Sequence, residues 1–452
     1  MGKRLWVVAA GLALAFTGAV GGAHWLSETR RVAAVEPQID DEAMIARGAY
    51  IARTADCIAC HTAPGGRPFA GGLAMETPVG AIYSTNITPD PATGIGTYRY
   101  ADFRNAVQAG VRRDGTPLYP AMPYTSYAIM PEADMQALYA YFKGGVAPVA
   151  QANAAATIPW PLNMRWPMAW WQWLFAPARE FVAPEGADAR IARGAYLVEG
   201  PGHCGACHTP RGLAYQEKAL SLADGDAFLS GAVIDGWRAK SLRGEAQGLQ
   251  SWSEAEIVAF LQTGRTDKVA AFGAMADVVA HSTRYFAQAD LDAVAAYLKQ
   301  LPPAAGRINA FPPKTDATTA ALQAGRYETR GAVLYMEFCA ACHRADGKGM
   351  PRVFPALDGN SAVFAESPQS LIQITLEGGT MPANDRGEMA FAMPAFRTLS
   401  DDDIAAVVSF IRGAWTNQAE PIVPQEVGHM RKFLAGKAPH VVVNRPEDKK
   451  GD

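Results

Sequence analysis

Cysteine is scarce in this 452-residue chain, and none is spare. All six cysteines fall in three copies of Cys-x-x-Cys-His, at Cys57/Cys60/His61, Cys204/Cys207/His208 and Cys339/Cys342/His343. A disulfide framework gives no reason for a His after every second Cys. Tetrahedral zinc needs two Cys pairs to converge, and three pairs leave one over. A thioredoxin-like redox pair does not come in triplicate. Charge of either sign is thin as well: 41 Lys+Arg against 44 Asp+Glu leave a formal net charge of −3, and no basic stripe stands out. That composition argues against a nucleic-acid partner.

What is present is the attachment pattern of a c-type haem. The two thiols add across the haem vinyl groups, and the adjacent imidazole reaches the iron. The expectation is three covalently bound haem c groups, held by Cys57, Cys60, Cys204, Cys207, Cys339 and Cys342, with His61, His208 and His343 as proximal ligands. Generous Gly (43) and Pro (31) suit small, loop-rich domains in which a large apolar cofactor supplies much of the core.

The length allows two to four domains, and the sequence writes one of them three times. Ala46-Arg47-Gly48-Ala49-Tyr50, Ala192-Arg193-Gly194-Ala195-Tyr196 and Gly331-Ala332-Val333 each open a helix that runs into a motif. Phe103 to Gly110, Ile257 to Gly264 and Leu371 to Gly378 are middle helices that stop at Gly. Asp134 to Lys143, Asp290 to Lys299 and Asp403 to Arg412 are closing helices, acidic at the start and cationic at the end, the order the helix dipole favours. Tyr141, Tyr297 and Phe410 share one position in them. The predicted domains are 40–185, with a Trp-rich extension, 186–303 and 322–418, with a linker at 304–321 and a tail at 419–452.

An apolar run from Leu5 to Ala23 follows Lys3 and Arg4. It predicts an export signal over residues 1–23, cut near Ala23, or an anchor if it stays, since a span takes roughly 20 apolar residues. Export fits the chemistry, because c-type haem is attached outside the bacterial cytoplasm.

The second ligand of each iron decides carrier against catalyst. A Met there favours electron transfer and raises the potential; an open face binds peroxide or another small ligand. Met122 lies 12 residues past Gly110, Met275 lies 11 past Gly264 and Met393 lies 15 past Gly378. Met381, only 3 past Gly378, is the rival to Met393, with too little chain to cross a haem edge. Met75, Met130 and Met135 are expected to be packing residues. His281 competes with Met275, His203 is expected at the surface or beside a propionate, and His24, His429 and His440 have no haem-linked spacing. Pro64, Pro210 and Pro355 are candidate carbonyl partners for the proximal imidazoles.

Leu118–Tyr127 (LYPAMPYTSY), Tyr83–Asp90 (YSTNITPD), Gly200–Gly212 (GPGHCGACHTPRG) and Phe354–Asn360 (FPALDGN) give the chain a close resemblance to the triple-haem cytochrome c subunits of bacterial membrane-bound alcohol, gluconate, sorbitol and aldehyde dehydrogenases. The resemblance covers about residues 40–418. It implies a mainly α fold of three tandem class I cytochrome c-like domains, each wrapped round one covalent haem, in which the small-residue helix crosses the terminal aromatic helix. It implies axial pairs His61/Met122, His208/Met275 and His343/Met393, and no catalytic residues. It places such a chain on the periplasmic face of the inner membrane. There it accepts electrons from a catalytic subunit carrying pyrroloquinoline quinone, flavin or molybdopterin and passes them to ubiquinone or a downstream cytochrome or oxidase. The spacing around Met381 and Met393 and the tail depart from the pattern.

Alternatives are a free-standing multihaem carrier and a haem peroxidase; the sequence offers no acid/base constellation for the latter. Two further segments call for partners. Trp160, Trp166, Trp170, Trp171 and Trp173 lie within a stretch ending at Phe175, expected either to pack between domains one and two or to meet a membrane or subunit. Val423, Val427, Met430 and Leu434, beside Arg431, Lys432 and Lys437, form a stripe expected to pack on domain three or lie on a membrane surface.

Overall fold

Glycine sets where the helices cross. The computed structural model describes residues 2–77, 79–306, 314–383 and 389–435; part of the expected linker (307–313), Lys437 and His440 lie outside them. The opening helices are Glu42–Thr54, Ala189–Glu199 and Arg330–Phe338, and the closing helices are Glu132–Ala140, extended by a wider turn through Gly145, then Gln288–Gln300 and Asp401–Gly413. A Cβ added at Gly48 would lie 1.9 Å from the Ala137 carbonyl oxygen and 2.7 Å from Tyr141 Cβ. At Gly194 the same atoms belong to Ala293 (2.0 Å) and Tyr297 (2.8 Å), and at Gly331 to Ala406 (2.2 Å) and Phe410 (2.7 Å). Only a residue without Cβ lets two helices approach so closely. The recurring aromatic is therefore the residue that packs over the crossing.

A second device recurs beside it. The Arg before each glycine, or the one preceding helix residue 331, reaches the acid that opens the closing helix: Arg47 Nε to Asp134 Oδ1 at 3.0 Å, Arg193 Nε to Asp290 Oδ1 at 2.8 Å and Arg330 Nε to Asp403 Oδ1 at 2.8 Å. The arginines are half-exposed, so each pair contributes at most about 1 kcal/mol, but together they fix the register of each crossing. The middle helices also stop as expected, at Gly110, Gly264 and Gly378, all with positive φ.

The chain gathers into two compact units: Met1–Ala183 with Tyr196–Ala206 and Arg211–Leu220, and Pro184–Ala195 with Cys207–Pro210 and Ser221–Asp452. In the first, Tyr100, Phe103, Leu138, Tyr139 and Phe142 form the core of the first repeat. A leader helix, Gly2–Arg30, packs against the Trp-rich helix Pro167–Phe175. In the second, Leu334, Tyr335, Ile404, Val408 and Trp415 centre the third repeat. The tail helix Pro424–Leu434 buries Val427 and Met430 in that core, and Arg431 holds Asp401 at 2.9 Å and the Leu399 carbonyl at 2.9 Å. Val427, Met430 and Leu434 of the tail stripe thus pack on the third repeat, while Val423 stays exposed.

Among the described residues the sheet is three two-stranded antiparallel ribbons: Ala74–Thr77 with Gly80–Tyr83, Ala232–Ile234 with Trp237–Ala239, and Gly379–Thr380 with Ala392–Met393.

Candidate functional site

Each motif forms a short helical turn just after its opening helix: Cys57–Cys60, Gly205–His208 and Ala340–His343. None of the six cysteines is in a disulfide. Asp56 and His203, the residues before the first two motifs, take positive φ, which turns the chain sharply from helix into motif. After the first two motifs a buried Thr locks the loop. Thr62 Oγ1 accepts from Phe69 N at 3.0 Å, and Thr209 Oγ1 accepts from Leu229 N at 3.0 Å.

The histidines share one arrangement. Nδ1 meets a backbone carbonyl in every case: His61 that of Thr85 at 2.6 Å, His208 that of Lys240 at 2.6 Å and His343 that of Pro355 at 2.9 Å. A carbonyl only accepts, so Nδ1 carries the proton and Nε2 keeps its lone pair. Burial pushes all three imidazoles below their ordinary pKa against the opposing pull of that hydrogen bond, His208 down to about 4. At neutral pH each is a neutral nitrogen donor.

Of the three expected carbonyl partners, only Pro355 holds. Pro64 and Pro210 are displaced by Thr85 and Lys240 because a β-ribbon stands between motif and carbonyl in the first two repeats. The ribbon carries the chain out and returns it to the imidazole. The third repeat has no ribbon there, and its partner lies only 12 residues on.

Met122, Met275 and Met393 are all partly buried, each packed at the edge of its own repeat's apolar cluster. Met381 is 3 % exposed, and its segment is committed elsewhere. The buried Arg265 donates to the Pro382 carbonyl at 3.0 Å, and a Cβ at Gly264 would lie 2.3 Å from Pro382 Cγ. The Met381–Pro382 segment thus docks the third repeat on the second.

His281 is buried at the end of helix Ala274–His281. Six residues along a helix turn it by about 240° from Met275, so the two cannot serve one group. His203 is half-buried: its ring meets Tyr127 edge-on at 5.8 Å, and the Tyr127 hydroxyl donates to the Ala55 carbonyl at 2.7 Å. That pair connects the approaches to the first and second motifs, a link no local pattern announces. Met130 and Met135 are core residues, while His24 and His429 are exposed.

Each motif presents two thiols and one neutral imidazole whose Nε2 keeps its lone pair, and each repeat also holds a part-buried thioether. Among the described residues no three His, Cys, Asp or Glu side chains gather to hold a bare metal ion. Thiols tether rather than ligate in such a set, and imidazole with thioether suits the two faces of an iron porphyrin. The residues present fit covalent haem.

Comparison with known proteins agrees. The Cytochrome c family matches residues 45–145 and 328–415. The chain is 51% identical over 383 residues to the cytochrome c subunit of alcohol dehydrogenase (quinone) from Gluconacetobacter polyoxogenes, covering 84% of this chain and 82% of that one. It is 49% identical over 411 residues to the gluconate 2-dehydrogenase cytochrome c subunit of Pantoea cypripedii, covering 89% and 93%. It is 47% identical over 421 residues to the alcohol dehydrogenase (quinone) cytochrome c subunit of Gluconobacter oxydans, covering 92% and 85%.

Proposed function

This chain belongs to the cytochrome c subunits of quinone-linked alcohol and gluconate dehydrogenases, and from that premise we propose that it is a tri-haem electron-transfer subunit. Its three haem domains are 40–185, 186–303 and 322–418. His61 with Met122, His208 with Met275 and His343 with Met393 would hold the three haems, and the six motif cysteines would form the thioethers. The observation that carries this reading is the threefold recurrence of one arrangement: an Nδ1-anchored His on the motif turn and a part-buried Met at the edge of the same repeat's core.

Bound haem supplies a one-electron ferric/ferrous couple. The protein's own residues do the rest. The Thr85, Lys240 and Pro355 carbonyls orient the imidazoles and raise their donor strength. Met122, Met275 and Met393 would supply the thioether donors to the haems, and thioether ligation would raise their potentials. No acid or base is required of the chain, because substrate oxidation belongs to another polypeptide. The proposed partner is a dehydrogenase catalytic subunit with pyrroloquinoline quinone, flavin or molybdopterin, and the acceptor is ubiquinone or a downstream cytochrome. The location is the periplasmic face of the inner membrane, which the apolar leader helix supports.

The test is a pull-down of the tagged chain from detergent-solubilised membranes, with mass spectrometry of the partners and of the intact subunit. Three haem additions and a co-purifying quinoprotein, flavoprotein or molybdenum subunit are expected. Fewer haems, or a partnerless chain in the soluble periplasm, would overturn the proposal, the latter in favour of a free-standing carrier.

A further inference from the structure

The leader helix Gly2–Arg30 changes character partway along. From Leu5 to Phe16 its large apolar side chains face outward. From Ala19 on it is built into the first unit. Trp170 Nε1 donates to the Ala19 carbonyl at 3.1 Å, Phe16 meets Trp166 edge-on at 5.8 Å, and a Cβ at Gly22 would lie 2.8 Å from Trp170 Cζ2. Ala23, Leu26 and Ser27 are buried. Arg30 donates to the Ala109 carbonyl at 3.2 Å and the Ala176 carbonyl at 2.7 Å, so it caps the C-terminal end of helix Pro167–Phe175. Val32 then exchanges two hydrogen bonds with the Asn105 side chain. A cut near Ala23 would split a packed helix and uncover the Trp166/Ala169/Trp170 face that it covers.

Two tryptophans mark the ends of the apolar stretch. Trp6 is 78 % exposed and Trp25 is 64 % exposed. At 1.5 Å per residue they stand about 28 Å apart, close to the roughly 30 Å thickness of bilayer hydrocarbon. Tryptophan collects at both membrane interfaces, and cations beyond the inner end hold it in the cytoplasm. Lys3 and Arg4 precede Trp6, and Arg30 and Arg31 follow Trp25. Helix Pro167–Phe175 runs beside the outer half of this stretch. It is apolar except for Gln172, whose side chain is buried on the Gly110 carbonyl at 2.7 Å. Its Trp173 and Leu174, each 60 % exposed, face outward.

We infer that the leader stays on the mature protein as a membrane span, and that helix Pro167–Phe175 is its socket, running along the outer half of the span with Trp173 and Leu174 against lipid. The occupant is the bilayer. Only the side of the membrane rests on the periplasmic placement proposed above. The Trp-rich extension thereby acquires a role: it holds the span rigidly to the first haem repeat instead of leaving it on a flexible tether.

The test uses the full chain, expressed without any dehydrogenase subunit and reconstituted in phosphatidylethanolamine/phosphatidylglycerol vesicles carrying a photoactivatable lipid. Expected are an intact N-terminal peptide spanning residues 5–30, retention in the membrane pellet after alkaline carbonate, and photolabel on both 5–16 and 160–175. Trp173→Ser with Leu174→Ser should lose most label at 160–175 and keep it at 5–16. A mature N-terminus near residue 24 overturns the span. Absence of label at 160–175 in the parent chain overturns the lipid-facing socket. Membrane retention that requires a co-expressed dehydrogenase subunit means protein, not lipid, is the occupant. Haem content, read on the same samples by the pyridine haemochrome spectrum, tests the electron-transfer reading separately, since neither outcome above depends on it.

Discussion

Replacing Gly331 by Ala tests whether the repeat is organised by its helix crossing. The new Cβ would sit 2.2 Å from the Ala406 carbonyl oxygen and 2.7 Å from Phe410 Cβ, where ordinary contact begins near 3.4 Å. Both neighbours are backbone or Cβ atoms and cannot swing away, so the helices must part by about 1 Å. Overpacking of this kind typically costs about 1–3 kcal/mol, and a backbone clash belongs at the upper end. Alanine returns about 0.5–1 kcal/mol of helix propensity, leaving a net loss of about 2 kcal/mol. Gly413, in the closing helix of the same repeat, has nothing within 4 Å of an added Cβ, so Gly413→Ala should be neutral or stabilise by about 0.5 kcal/mol. The assay is guanidinium unfolding of the haem-loaded protein, followed through the fluorescence of Trp415, which is fully buried at 5.2 Å from Tyr335. A lower midpoint at unchanged m is expected for Gly331→Ala alone. The reasoning fails if Gly331→Ala matches the parent midpoint at equal haem content, or if Gly413→Ala loses as much.

Met393→Leu should remove about one third of the methionine–ferric haem charge-transfer absorbance, one ligand pair of three, whereas Met381→Leu should leave the spectrum intact and cost less than about 1.5 kcal/mol; the reverse pattern would transfer the ligand role to Met381. Phe272→Ala should shift two steps of a spectroelectrochemical titration, because Phe272 packs against Gly379, whose ribbon partner is Met393, and lies three residues from Met275; a shift in one step alone would refute that coupling. Glu217 is held up at about 7 from 4.5 by burial, against the pull of Arg211 and then Arg179. Its folded form therefore binds a proton that the unfolded chain releases between pH 4.5 and about 7, and stability falls as pH rises through that window, by up to about 3 kcal/mol. Glu217→Gln should flatten this slope in melts at pH 5 and pH 8, and an unchanged slope would count against the shift.

The parts legible in the sequence are those whose cause is local. Gly48, Gly194 and Gly331 recur because each crossing needs a residue without a side chain. Tyr141, Tyr297 and Phe410 recur because something must pack over it, and Asp134, Asp290 and Asp403 because an arginine one turn of geometry away must be met. Each requirement is written within one repeat, so periodicity exposes it. The carbonyl partners of the first two histidines were not legible. Thr85 and Lys240 are chosen by the length of an intervening ribbon, and nothing about Thr or Lys as a side chain enters, since only the backbone oxygen is used. The partner of His203 was hidden for a related reason: adjacency to a motif says nothing about which side chain from another repeat will lie across it.

That distinction bears on what a three-repeat chain can do that three single haem domains cannot. Within the second unit the repeats are joined by their functional loops and not by a passive linker. The ribbon whose end supplies the Lys240 carbonyl to His208 donates Arg238 N to Ser370 at 2.7 Å and lays Trp237 against both Gly273 and the third core. Ala356, next to the Pro355 carbonyl that holds His343, donates to the Lys268 carbonyl at 2.8 Å. In the first unit Tyr127, five residues past Met122, carries the ring of His203 beside Cys204. Within the second unit a displacement of the loop that supports His208 therefore reaches the loops around the third motif. For the proposed electron-transfer role, such interlocked loops would hold the second and third sites at one spacing, whereas a linker alone would let each repeat wander. The expected cost is that the potentials of the second and third sites are coupled, since Trp237 and Phe272 pack against both repeats.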